Sequence, residues 1–86
     1  MPIDPRILFG LRLIELRKRK AWSQERLALE SGLARSYLGG IERGHRNIAL
    51  LNIHKLAQAL EVPAASLMEA PTFDPKASKA KRRLKE

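Results

Sequence analysis

Apolar side chains recur along this chain at intervals of three and four residues, a pattern that predicts five short helices and no strand. Asp4 before Pro5 reads as an N-cap and a first helical position, and the periodic stretch behind it runs to about Lys20 with Phe9, Leu13 and Leu16 on one stripe. Ser23, with Glu25 and Arg26 behind it, caps a second helix through Leu27, Ala28 and Leu29, and Gly32 supplies the left-handed residue that closes it. A third helix is expected from Ala34 or Arg35 to Arg43, stopped at Gly44, with Leu38 and Ile41 as its buried side. Leu50, Ile53, Leu56, Ala57 and Leu60 repeat as a fourth helix that ends at Val62 and Pro63, and Ala64 to Met68 add a last turn carrying Leu67. The second and third helices are joined so tightly that they must cross steeply.

A length of 86 residues closes one hydrophobic core, so residues 1–70 are read as one all-α, five-helix domain and residues 71–86 as a basic, flexible extension. Only 5 % of the residues are aromatic, which leaves Leu, Ile and Ala to build the core. The absence of cysteine excludes disulfides and thiolate metal sites, and no cofactor or metal is expected. No apolar run approaches the roughly 20 residues of a membrane span, and Met1 to Gly10 lacks signal-peptide character, so the expected location is the cytoplasm.

The formal net charge is +8, and half of that excess falls in residues 71–86, where Lys76, Lys79, Lys81, Arg82, Arg83 and Lys85 face only Asp74 and Glu86. The body is therefore basic without its tail. Such a surface favours a polyanion, and double-stranded DNA offers one charge per ~1.7 Å of axis.

The runs Phe9-Gly10, Leu13, Leu16-Arg17, Lys20, Trp22-Ser23-Gln24-Glu25, Leu27-Ala28 and Ser31-Gly32-Leu33 are followed by Tyr37-Leu38, Ile41-Glu42-Arg43-Gly44 and Arg46-Asn47. Together with Lys55 to Pro63, they resemble the helix-turn-helix DNA-binding domain of the Cro and lambda-repressor type, the XRE family, over Phe9 to Leu67. The resemblance implies a lambda-repressor-like fold whose third helix lies in the major groove. On physical grounds such a helix needs an apolar underside, supplied by Leu38 and Ile41, and outward N-terminal residues that reach base edges.

Arg35 and Ser36 occupy that outward position. Arg35 is the strongest candidate base reader, through paired hydrogen bonds to guanine, with a phosphate contact alone as the plainer alternative. The resemblance implies phosphate contacts for Gln24 and Tyr37 and for Arg43, His45, Arg46 and Asn47. The alternatives are a solvent residue in the first helical turn for Gln24, a packed ring for Tyr37 and a solvated loop for the rest. It also implies an ion pair between Arg17 and Glu42 that orients the third helix, with Arg17 touching phosphate as well and Glu42 kept off the DNA. Gly39 and Gly40 depart from good helix formers. Gly40 stands where relatives place a base-reading side chain, so either the backbone approaches the DNA there or preference rests on Arg35, Ser36 and DNA deformability.

Ala34, Ala49 and Ala65 sit where Ser or Thr is common at a helix start, which predicts weak capping. Ile7, Leu11 and Ile14 form a second apolar stripe on the first helix. It is expected to meet a partner subunit, another protein or the tail around Phe73, or else to pack on the fifth helix. One short helix reads only a few base pairs, so a homodimer on an inverted repeat is expected. The resemblance implies an interface of Ile48, Leu50, Ala64 and Met68.

An enzyme is not expected. The two histidines, His45 and His54, have no cysteine or clustered carboxylates to work with, and no Gly-rich phosphate loop is present. The expected function is a sequence-specific transcriptional regulator resembling restriction-modification controllers and small phage-type repressors. Its rivals are an antitoxin that also holds a protein partner and a protein-bridging co-activator.

Overall fold

The computed structural model describes residues 3–72; Phe73 and the cationic stretch from Lys76 to Lys85 lie outside the described residues. Five helices follow one another: α1 (Pro5–Arg19), α2 (Gln24–Ser31), α3 (Arg35–Glu42), α4 (Leu50–Leu60) and α5 (Ala64–Leu67). Among the described residues there is no strand.

Local chemistry explains most helix ends. The Asp4 carboxylate accepts the Arg6 backbone N–H at 2.9 Å, and the Ser23 hydroxyl accepts that of Arg26 at 3.0 Å. Gly32 and Gly44 take φ of +75° and +78°, where an L side chain is strained. Two further left-handed turns carry no glycine: Ala21 and Glu61 both sit at φ +60°. The starts of α3 and α4, at Ala34 and Ala49, have no side-chain cap, as the sequence suggests. Ala65 is different, because the cap position of α5 is Pro63 and Ala65 is already helical.

Every helix sends at least one aliphatic side chain to a common centre. Leu13, Leu27, Leu38, Leu56 and Leu67 are each 0 % exposed and Ile41 is 1 %. Burying a leucine in this way contributes about 1.5–3 kcal/mol. The predicted core stripe of α4 holds from Ile53 onward, whereas Leu50, the first residue of the helix, is 71 % exposed.

Two glycines let the chain close on α1. A Cβ on Gly10 would lie 2.5 Å from the Ile41 carbonyl oxygen and 2.7 Å from that of Glu42, so α1 rests directly on the end of α3. A Cβ on Gly44 would lie 2.7 Å from Cγ1 of Ile7. Ile7, from the second apolar stripe, thus seats against this turn while remaining exposed, and Leu11 and Ile14 are half-buried. The fifth helix is held instead by Arg12. This buried side chain donates to the Ser66 carbonyl at 2.7 Å, to Glu15 at 2.7 Å and to Glu69 at 2.9 Å. Glu15 in turn accepts the Thr72 N–H at 3.2 Å and the Thr72 hydroxyl, which straps residues 69–72 along α1.

Candidate nucleic-acid interface

The face of α3 is set by its underside. With Leu38 and Ile41 buried, Arg35 and Ser36 in its first turn are exposed. Arg35 is held only loosely, its Nη1 3.4 Å from Gln24 Oε1 and its Nε 3.9 Å from the Glu25 carboxylate, so the guanidinium is free to find another acceptor.

Behind this turn, one carboxylate ties three helices together. Arg17 of α1 donates to Glu42 of α3 through Nε at 2.7 Å and Nη2 at 3.0 Å, and Gln24 of α2 donates to the same group at 2.8 Å. Arg17 Nη1 also donates to the Trp22 carbonyl at 2.7 Å, which fixes the turn between α1 and α2. The Glu42 side chain is 3 % exposed and that of Arg17 is 11 %, so this is a buried bidentate pair rather than a surface one. Each guanidinium nitrogen of Arg17 is bonded inside the protein. That geometry accords with the orienting role, and it engages three of the five guanidinium N–H groups.

Tyr37 is packed in part. Its ring is half-buried with the Arg46 guanidinium 5.5 Å from the centroid, and its hydroxyl accepts from Asn52 Nδ2 at 3.0 Å. The phenolic hydrogen remains available to an outside acceptor. Gly39 and Gly40 create a trough that arginines fill. A Cβ on Gly39 would lie 3.2 Å from Arg43 Nη1, and one on Gly40 would lie 2.8 Å from Arg46 Cγ. Gly40 is therefore buried beneath Arg46 and does not offer its backbone to the surface, contrary to the base-reading position expected of it.

Arg43, His45, Arg46 and Asn47 are exposed in and after the turn that ends α3. Among the described residues, neither Arg43 nor Arg46 enters an ion pair. The surface from Arg35 to Arg46 is consequently cationic, while its one internal acid, Glu42, is neutralised from within. Flanking it, Lys20 and Arg26 stack on the Trp22 ring at 4.9 and 4.8 Å.

Of the expected interface residues, Leu50 and Met68 are exposed at 71 % and 66 %. Ile48 and Ala64 are half-buried against the protein's own core. Leu51, also 66 % exposed, joins the exposed start of α4 without having been singled out in the sequence. Asn52, Arg12 and Glu15 were likewise missed: their partners Tyr37, Ser66 and Thr72 lie 15, 54 and 57 residues away, and the one local signal is the spacing of three between Arg12 and Glu15. Among the described residues, no group of three or more His, Asp or Glu side chains is placed to hold a metal, and no helix is long and apolar enough to cross a membrane.

The comparisons with known proteins agree with this geometry. The helix-turn-helix family model matches residues 13–67. The control protein C.BamHI of Bacillus amyloliquefaciens is 44 % identical over 69 residues, covering 79 % of this chain and 85 % of that protein. The restriction-modification controller protein C.AhdI of Aeromonas hydrophila superposes with a TM-score of 0.71 at 56 % identity, covering 72 % of this chain and 94 % of that one. SinR, a master regulator for biofilm formation solved in complex with DNA, superposes with a TM-score of 0.68 at 34 % identity, covering 71 % of this chain and 98 % of that one. The protein therefore belongs to the XRE-type helix-turn-helix family of DNA-binding transcriptional regulators, a regulatory and not an enzymatic family.

Proposed function

We propose that this protein regulates transcription as a homodimer on an inverted-repeat operator, in the manner of a restriction-modification controller, with α3 of each protomer in the major groove. One observation carries the reading: Leu38 and Ile41 are buried at 0 % and 1 % on the helix whose first turn exposes Arg35 and Ser36. Arg35 reads a guanine edge and Ser36 assists it. Gln24, Tyr37, Arg43, His45, Arg46 and Asn47 contact phosphates and set the register. Gln24 lies at the N-terminus of α2, whose dipole favours an anion. Met68, Leu50 and Leu51 supply the apolar centre of the dimer face, with Ile48 and Ala64 at its edge. Such pairing sets two recognition helices one turn of DNA, ~34 Å, apart. The operator lies on the cell's own DNA, so the protein works in the cytoplasm.

Selection of bound duplexes from a random pool tests this. The expected product is an inverted repeat, and Arg35→Ala relaxes one base pair in each half-site at a cost of about 1–3 kcal/mol. A selected motif without twofold symmetry removes the dimer, and a motif unchanged by Arg35→Ala removes Arg35 as the reader.

A further inference from the structure

A side-chain hydrogen bond joins the first turn of α4 to α3, with Asn52 Nδ2 donating to the Tyr37 hydroxyl at 3.0 Å. Both partners are held from behind. Asn52 is the third residue of a helix anchored by the buried Leu56 and Ala57, and its own N–H donates to the Ala49 carbonyl at 3.0 Å. Tyr37 precedes the fully buried Leu38, and the Arg46 guanidinium lies over its ring, 5.5 Å from the centroid. Both side chains are half-buried, at the margin between core and surface.

The direction of this bond decides what the hydroxyl can do. A phenolic oxygen carries one hydrogen and can also accept one. With the Asn52 amide donating to it, the accepting side is occupied and the hydrogen must point elsewhere. A phosphate oxygen is a fitting acceptor for it, since it is anionic, carries no hydrogen of its own and is attracted by Arg46 beside the ring. A carboxamide suits the holding role. It donates without bringing a negative charge toward the phosphate, whereas a carboxylate at this position would accept the phenolic hydrogen and turn it inward.

We infer that Asn52 is a positioning residue for DNA binding, whose amide pins the Tyr37 hydroxyl so that the phenolic hydrogen is turned out toward a phosphate. This rests on the reading of Tyr37 as a phosphate contact and names the group that aims it.

Affinity for a random-sequence duplex, measured in a double-mutant cycle, tests the aim apart from any operator. Tyr37→Phe keeps the ring and the Arg46 stack but not the hydroxyl. It should weaken binding about tenfold, the loss of one hydrogen bond to a charged group. Asn52→Asp has nearly the same shape, and an acid in the first turn of a helix is favourable, so the chain should fold, as urea unfolding checks. It should weaken binding about as much as Tyr37→Phe does, and much less in the Tyr37→Phe background, which has no phenolic hydrogen to misdirect. Asn52→Ala leaves both planar positions of the hydrogen open and should cost only about twofold. An Asn52→Asp variant that binds like the wild type, or loses equally in both backgrounds, overturns the inference. Phosphate ethylation on whichever duplex is selected gives a second readout. One phosphate for each bound α3 should cease to matter in Tyr37→Phe and in Asn52→Asp alike, whereas a change spread over all the phosphates marks a merely structural role and overturns the inference. A Tyr37→Phe protein that binds as tightly as the wild type removes the phosphate contact and the inference with it. A selected motif without twofold symmetry, with the cycle intact, removes the dimer and leaves the role of Asn52 standing.

Discussion

Gly10 of α1 and Ile41 of α3 touch backbone to backbone, so closely that a Cβ on Gly10 would stand 2.5 Å from the Ile41 carbonyl oxygen. The obstruction is main chain, which cannot rotate aside as a side chain would. Gly10→Ala should therefore push α1 off the end of α3 and cost about 1–3 kcal/mol of stability. Urea unfolding checks this, and a variant as stable as the wild type would show that the two helices separate freely.

The Arg17–Glu42 pair sits in the same joint. Glu42→Ala leaves the Arg17 guanidinium, 11 % exposed, without its bidentate partner and also releases Gln24. The expected loss is about 3–5 kcal/mol, the cost of stranding a buried charge rather than the worth of the pair. Arg17→Met combined with Glu42→Leu should recover much of it, and a double-mutant cycle by thermal unfolding measures the coupling.

Gly40 separates stability from function. Ala is the better helix former by up to about 1 kcal/mol, yet a Cβ at this position would displace the Arg46 stem from 2.8 Å. Gly40→Ala should consequently leave stability equal or higher while weakening DNA binding, because Arg46 loses its seat beside Tyr37. Paired melting and binding measurements check the opposite signs, and unchanged binding would show that Arg46 needs no seat.

The start of α1 carries a pH dependence. The side-chain hydrogen bond from Arg6, followed by the Arg6 backbone N–H, holds the Asp4 carboxyl below its ordinary 3.8. Its unfolded form binds a proton first as pH falls, so its stabilising effect is complete above that ordinary value and disappears as pH drops through the lowered folded value. Asp4→Asn keeps a capping oxygen but not the charge. Its stability deficit against the wild type should be constant near neutrality and shrink below about pH 4, as followed by circular dichroism. A deficit that stays flat into acid would assign the effect to the cap geometry alone.

The linear sequence by itself determined where the helices lie and which side of each is apolar. Asp4, Ser23, Gly32 and Gly44 act within a few residues, and the spacing of Leu13, Leu38, Ile41 and Leu56 encodes a helical face directly. It also showed Arg35 and Ser36 as outward residues, because Leu38 and Ile41 leave them no inward choice. Resemblance added the pairing of Arg17 with Glu42. Only the folded chain decided that this pair is buried, that Arg17 also bonds the Trp22 carbonyl and that Arg46 covers Gly40. The close approach at Gly10, the Tyr37–Asn52 bond and the Arg12–Glu15–Thr72 strap belong to the same class. Most of them join residues far apart in the chain. A local pattern records how a segment turns, but which side chain meets which across the core depends on how closely the backbones approach, and that is settled only when the helices dock together.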